Sequence, residues 1–286
     1  MYIVIDIGGT KTRVAQVRDL SEPVEVIDKF PTARSAKTGM ASVISCIKDN
    51  VDEEIKAVAI AIAGAVDEEK RLLAGPNLPG WVGEPLAEGF SELLPISDVV
   101  VANDTAIGGL GEAVAGAGTA NGITAYFTVG TGVGGARIVD GKIDRSAAGF
   151  EPGHQVVDIS DWLDQSGDIP AEGHIPGHLE YYLSGANIKR VTGQDPVDVT
   201  DEALWSEFQD RLVAALNNII VMWSPNVIVM GGSMIIRNEY LSFAYMQKEL
   251  EKKVKIFPVV PTLHRAQLQD NAGLVGAREL LRQHLS

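Results

Sequence analysis

Short apolar runs that end in glycine set the pattern of this chain. Tyr2 to Ile5 is apolar and delivers Asp6 to a Gly8-Gly9-Thr10 turn, after which Thr12 to Val17 leaves as an alternating segment. Strand, glycine turn and strand predict a hairpin whose tip exposes backbone N–H groups. Val24 to Phe30 follows as a third strand that closes a small antiparallel unit. Gly39 to Asn50 carries Val43, Ile44 and Ile47 at helical spacing. Ala57 to Ala63 is a continuous apolar run ending at Gly64, the pattern of a parallel strand buried on both faces. Gly75 to Trp81, reading GPNLPGW, is dense in turn formers. Glu84 to Leu94 reads as a helix and Asp98 to Ala102 as another buried strand. That strand stops at Asn103-Asp104, where a helix of small residues begins.

The second half repeats the first. Ile123 to Val129 is a strand, residues 130 to 135 are a glycine turn, and Ala136 to Val139 leaves as a strand before the tight Asp140-Gly141 turn into Lys142-Ile143. From Asp161 to Gly193 periodicity weakens, and Gly173 to Leu183 reads as a loop entering a short helix. Ala203 to Trp223 is the clearest helix, with Leu204, Phe208, Leu212, Ala215, Leu216 and Ile219 on one face and Pro225 as its stop. Asn226 to Met230 is a further buried strand ending at Gly231-Gly232-Ser233. A helix from Tyr240 to Val254, a strand from Lys255 to Val260 and a last helix from Asn271 to His284 follow, the last with Leu274, Arg278, Leu281 and Leu285 on one stripe. Two glycine hairpins, each followed by apolar strands and helices, predict a duplicated α/β unit facing a common cleft. The boundary falls just after Asp104, giving a first domain of residues 1–105 and a second of 106–270.

Composition narrows the partners. The formal net charge of -14 over 286 residues argues against a nucleic acid or an anionic membrane surface, whose phosphates it would repel. A nucleotide is still compatible, because a local glycine loop and Mg²⁺ can hold phosphates on an acidic protein. The single cysteine, Cys46, excludes an intramolecular disulfide and reads as a small core residue of a helix. No basic leader and no membrane-length apolar run appears, so a cytoplasmic location is expected.

The candidate chemistry lies at the glycine turns and at the ends of the apolar strands. An acid beside a hydroxyl and a lysine (Asp6, Thr10, Lys11) suits a metal-bound polyphosphate, and glycine lets an anion approach the backbone. An ordinary hairpin turn explains the same residues. Gly130 to Gly135 contains GTGVGG, yet it leads into a strand, so neither the dinucleotide nor the Walker pattern stands in its proper setting. Asn103 and Asp104 each suit a helix N-cap. Asp104 also suits a proton acceptor for a substrate hydroxyl, kept ionised by the helix N-terminus. Glu151-Pro152-Gly153-His154 and Gly177-His178-Leu179-Glu180 are polar loop clusters that composition alone reads first as turn chemistry and solvated charge and second as ligands for a polyhydroxyl substrate, and Asn77 has the same ambiguity.

Taken together, DIGGTKTR, GPNLPGW, VANDTAIGGLGE, TVGTGVGGARIVDGKI, AAGFEPGH, GHLEYYLSG, NVIVMGGSM and LVGARELL resemble the ROK family of sugar kinases and repressors, within the actin–hexokinase–heat-shock-chaperone ATPase superfamily. The resemblance spans nearly the whole chain and implies two ribonuclease-H-like α/β domains, with the C-terminal helix 271–286 packed back on the first. It implies transfer of the ATP γ-phosphoryl group to a hexose, most often to the 6-hydroxyl of glucose. An N-acetylated hexosamine or fructose is the next substrate, and a non-catalytic sugar sensor is the alternative class. By the same resemblance, Asp6 orients Mg²⁺–ATP; Gly8, Gly9, Thr10 and Lys11 form the first phosphate loop; and Thr131, Gly132 and Gly134 form the second. Gly231 and Gly232 then lie near the adenosine. Asp104 matches the catalytic base, and Asn77, Asn103, Glu151, His154 and Glu180 match sugar ligands. Domain closure on the sugar and a homodimer are also implied. One departure stands out: the family's zinc site joins the histidine of its ExGH motif to three cysteines. Those cysteine positions are Ala171, Gly173 and His178 here, so a Cys₃His site cannot form. A replacement zinc site from His154, His174 and His178 is the alternative, and zinc is not expected.

Overall fold

The computed structural model describes residues 1–67, 69–75, 77–94, 96, 98–163 and 175–286. The first part of the chain runs β1 (Tyr2–Ile7), β2 (Lys11–Val17), β3 (Glu25–Pro31), α1 (Ala36–Asn50), β4 (Ala57–Ile62), β5 (Ala65–Val66), β6 (Leu72–Ala74), α2 (Leu86–Leu93), β7 (Asp98–Asn103) and α3 (Asp104–Ala115). It continues through β8 (Ile123–Val129), β9 (Val133–Val139), β10 (Lys142–Ile143), α4 (Ile159–Leu163), α5 (Leu179–Leu183), α6 (Gly185–Thr192), α7 (Glu202–Trp223) and β11 (Val227–Gly231). Then come α8 (Ser233–Ile236), α9 (Phe243–Lys253), β12 (Thr262–Arg265) and α10 (Ala272–His284). No helix among the described residues is long and apolar enough to cross a membrane.

The chain divides into two compact units. Unit 1 comprises Met1–Ala115, Arg145–Gly149 and Asp270–Ser286; unit 2 comprises Gly116–Asp144 and Phe150–Gln269. The helix α3, at whose start the sequence places a boundary, packs within unit 1. The sheet of unit 1 has the order β3-β2-β1-β4-β7, with β1, β2 and β3 antiparallel and β1, β4 and β7 parallel. The sheet of unit 2 has the order β10-β9-β8-β11-β12, again three antiparallel strands and then two parallel additions. The duplication predicted from two glycine hairpins is therefore a repeat of topology, strand for strand.

Each unit has its own core. In unit 1, Ile3, Ile5 and Ile7 of β1 and Ile60 and Ile62 of β4 pack with Trp81 and Phe90, and every residue of β4 is buried. In unit 2, α7 lays Trp205, Phe208, Leu212 and Leu216 against Phe127 and Ile228. Asp201 caps α7 by accepting from Ala203 and Leu204 N–H groups, and Ser224 ends it in the left-handed conformation just before Pro225.

Four sequence expectations are corrected. Lys255 to Val260 is not a strand; β12 begins at Thr262, after Pro258 and Pro261, neither of which can donate to a ladder. Asp98 to Asn103 is a strand, but it lies at the sheet edge with only Val101 buried. The glycine turn of unit 2 is limited to residues 130–132, because Gly134 and Gly135 already pair with Thr128 and Phe127 inside β9. The buried face of α10 runs through Leu274, Gly276, Ala277 and Leu281, while Leu285 lies beyond the helix and is exposed.

Candidate functional site

In unit 1 the parallel strands β1, β4 and β7 end at one edge of the sheet. Ile7, Ile62 and Asn103 stand in register across them, so Asn103 lies two strand spacings from Ile7, about 10 Å. The carboxyl edge of a parallel sheet is where α/β proteins bind ligands. The first glycine turn leaves from β1 there. Gly8 N–H donates to Lys11 O at 3.0 Å, and Thr32 braces the turn, with its N–H on Thr10 O at 3.0 Å and its hydroxyl on Gly8 O at 2.7 Å. Gly9, Thr10 and Lys11 are exposed at the tip.

Asp6 precedes that turn and forms an ion pair with Arg13, its direct partner in the β1–β2 ladder. Arg13 also donates to the backbone carbonyl of Asp270. Burial pushes the Asp6 carboxyl above the usual carboxylate range, and the Arg13 guanidinium only partly opposes it. No role for Arg13 was read from the sequence. The signal was available, since a hairpin pairing Ile7 with Thr12 necessarily pairs Asp6 with Arg13.

Asn77 is exposed in the GPNLPGW loop, which is anchored by the buried Trp81 donating from Nε1 to Ala33 O at 2.9 Å. A Cβ on Gly9 would overlap that of Asn77, so the phosphate-type turn and this loop touch, and only glycine permits the approach. At the end of β7 the two polar residues divide their labour. Asn103 caps the helix, its Oδ1 accepting from Ala106 N–H at 2.9 Å while its Nδ2 donates to Gly64 O at 2.9 Å. Asp104 is the first helical residue, and its Oδ1 accepts from Thr105 N–H at 2.7 Å and from Asn103 Nδ2 at 3.2 Å.

In unit 2, β8 and β11 run parallel; Gly130 follows β8 and Gly231 ends β11. Gly130 N–H donates to Gly132 O at 2.9 Å, closing a tight turn with Thr131 exposed. Gly231 is the last residue of β11 and Gly232 precedes α8; a Cβ on Gly232 would overlap the Val129 carbonyl, so the two turns lie side by side. Gly134 stands apart from the turn, inside β9.

The remaining polar residues of unit 2 converge. Glu151 leads into a single 3₁₀ turn, Pro152–His154. Val156 pairs with His178 in an isolated antiparallel bridge, Leu179 N–H donates to Gln155 O at 2.9 Å, and Val157 N–H donates to Gly177 O at 2.9 Å. The imidazoles of His154 and His178 share a hydrogen bond, Nδ1 to Nδ1, at 3.2 Å. Burial pushes Glu151 upward; His154 pulls it down and Glu180 pushes it up, which places both groups within electrostatic reach. His178 is shifted downward by burial and by His154, against Glu180. Glu180 Oε2 accepts from Val133 N–H at 2.6 Å, a contact without signal in the sequence because the two residues are 47 positions apart. Among the described residues no three histidine, cysteine, aspartate or glutamate side chains group as a metal site. Ala171, Gly173 and His174, to which the zinc comparison refers, lie outside the described residues. The loops carrying His154 and His178 are tied by the backbone bridge and the imidazole pair.

The structure thus brings together Asp6, Gly8, Gly9, Thr10, Lys11, Asn77, Asn103 and Asp104 on unit 1. On unit 2 it joins Glu151, His154 and Glu180, with Thr131 and Gly132 reached through Glu180 and Gly231-Gly232 beside that turn.

A family model described as "ROK family" matches residues 2–284. The chain is 28% identical to an N-acetyl-D-glucosamine kinase of Escherichia fergusonii, covering all of both proteins. It is 25% identical to a glucokinase of Thermotoga maritima, over 99% of this chain and 98% of that one. Among solved structures, a glucokinase of Streptomyces griseus in complex with glucose and AMPPNP superimposes with a TM-score of 0.78 at 25% identity, covering 99% of each chain.

Proposed function

The chain belongs to the ROK family, and we propose that it is a sugar kinase that transfers the γ-phosphoryl group of ATP to a hexose hydroxyl, with the 6-hydroxyl of glucose as the first candidate. The observation that carries this reading is the carboxyl edge of the unit 1 sheet, where Asp6 lies near the end of β1, an exposed glycine turn leaves that strand, and Asp104 directly follows Asn103, the last residue of β7, which stands in register with Ile7. Phosphoryl transfer needs positioning, charge neutralisation and an acceptor for the hydroxyl proton. The residues fit the nucleotide: a carboxylate, a hydroxyl and a lysine flank a turn whose Gly9 leaves no room for a side chain. Asp6 is assigned to orient the nucleotide's Mg²⁺, which when bound neutralises charge on the phosphates.

Asp104 takes the proton of the attacking hydroxyl. The sugar oxygen then bonds to the γ-phosphorus, the bond from that phosphorus to the β–γ bridging oxygen breaks, and ADP leaves. The helix N-terminus favours the ionised form that such a base requires. Asn103 is held rigidly beside it by its bonds to the cap and to Gly64 O, and its Oδ1, which accepts from Ala106 N–H, has a second lone pair for a hydroxyl donor. By the family resemblance, Asn77, Asn103, Glu151, His154 and Glu180 are assigned to the sugar hydroxyls, which carboxylates, amides and imidazoles bind as donors or acceptors. Thr131 and Gly132 are assigned to phosphate and Gly231-Gly232 to the nucleoside.

Asp104→Asn removes the proton acceptor and keeps the side-chain shape. Its kcat should fall by about 10²–10⁴, the range of general-base contributions, with sugar binding nearly unchanged. Turnover at the wild-type rate would overturn the role. A coupled ADP-release assay across glucose, mannose, fructose, N-acetylglucosamine and N-acetylmannosamine identifies the acceptor, and failure of all five counts against the kinase reading.

A further inference from the structure

We propose that Glu180 is a positioning residue for the second glycine turn, so that one carboxylate serves both the sugar and the phosphate side of the reaction. The inference rests on the sugar-kinase reading above, which gives Glu180 only a sugar to hold.

The turn at residues 130–132 is gripped from outside by one segment of unit 2, the α5–α6 junction. Glu180 Oε2 accepts from Val133 N–H at 2.6 Å, Gly185 N–H donates to Gly130 O at 2.7 Å, and Ala186 N–H donates to Thr131 O at 3.4 Å. These bonds engage residues 130, 131 and 133. At the remaining position, 132, a Cβ would stand 2.6 Å from Glu180 Oε2, so the carboxylate occupies the space a side chain would need. Val133 is buried and Glu180 only partly so.

A hydrogen bond from a backbone amide to a carboxylate is charge-assisted and stronger than a neutral one. Here it is the only one of the three made by a side chain, and hence the only one that substitution can remove. A three-residue turn of glycine and threonine has little intrinsic preference for one backbone shape. Holding its amides in place before nucleotide arrives removes an ordering cost from binding. Glu180 sits in the first turn of α5, whose preceding residue, His178, bridges to Val156 and pairs with His154. The set that would meet the sugar is therefore mechanically continuous with the turn that would meet phosphate.

The test is nucleotide binding with no sugar present. Calorimetric titration of AMPPNP with Mg²⁺ into the wild-type chain, Glu180→Ala and Glu180→Gln should show affinity weakened about tenfold in the alanine variant, the factor corresponding to ~1.4 kcal/mol. The glutamine variant keeps a neutral acceptor and should fall between. Amide exchange at Val133, followed by NMR, should accelerate in the same order while thermal unfolding shows both variants folded. A sugar ligand without this second role would leave sugar-free nucleotide affinity at the wild-type value in both variants, and that result overturns the proposal alone. If the alanine variant does not fold, the glutamine variant decides by the same two readings. Failure of the wild-type chain to bind the nucleotide overturns the kinase reading itself, and this inference with it.

Discussion

Glu151 shows how the surroundings of a single residue set a pH dependence. Desolvation raises its pKa, Glu180 adds to the rise, and His154 opposes it. On acidification it therefore takes up its proton at a higher pH than a solvated carboxylate. If ionised Glu151 accepts from sugar hydroxyls, sugar affinity should begin to fall above the ordinary carboxylate range, and Glu151→Gln should flatten that profile; calorimetric titration of the unphosphorylated hexose that serves as acceptor, repeated across pH, reads both. The linkage has the corresponding sign for folding. A raised carboxylate pKa means the folded state binds more protons, so this group costs stability as pH rises through its unfolded pKa. Asp6 is shifted in the same direction despite its ion pair with Arg13. Both carboxylates are thus held where they are costly to ionise.

Helix–helix contact carries the first unit. The small residues of α3 are matched by small residues of α10, and a Cβ on Gly276 would overlap the Ile107 carbonyl. α10 also packs on β1 and β4, the strands that lead to Asp6 and Gly64. Gly276→Ala must part the helices or shift α3, whose first residue is Asp104. Overpacking of this kind costs about 1–3 kcal/mol. Urea unfolding should report that loss, and kcat should fall with it because Asp104, the proposed base, moves with its helix. The sequence pattern alone put Leu285 on the packing stripe of α10; the close approach at Gly276 decides otherwise, because backbone contact favours positions without side chains.

At the scale of the molecule, each unit is assembled from separated segments, and unit 1 is completed by Asp270–Ser286. Deleting 270–286 removes the cover of α3 and the Asp270 carbonyl that Arg13 holds. Limited proteolysis and circular dichroism should show unit 1 digested faster and helical signal lost beyond that of the deleted helix. Much of this organisation is legible along the chain. Apolar runs ending in glycine mark β1, β4, β8 and β11, because a strand buried on both faces must be continuously apolar and a sharp turn needs glycine. The repeat of two glycine hairpins was legible for the same reason, and the matching strand orders of the two sheets express it. The motif string carried the family. The strand expected at Lys255 to Val260 failed because apolar character alone does not reveal where prolines interrupt the ladder. By itself, then, the sequence determined the apolar strands that end at glycine turns and the long helices, that the pattern repeats, and which polar residues stand at their ends. Only the tertiary structure decided that Arg13 reaches Asp270 as well as Asp6, that Asn103 caps the helix and leaves Asp104 as its first residue, and that Glu180 bonds to Val133. The last of these joins residues far apart in sequence, and their contact depends on the packing of whole elements, to which local periodicity is blind.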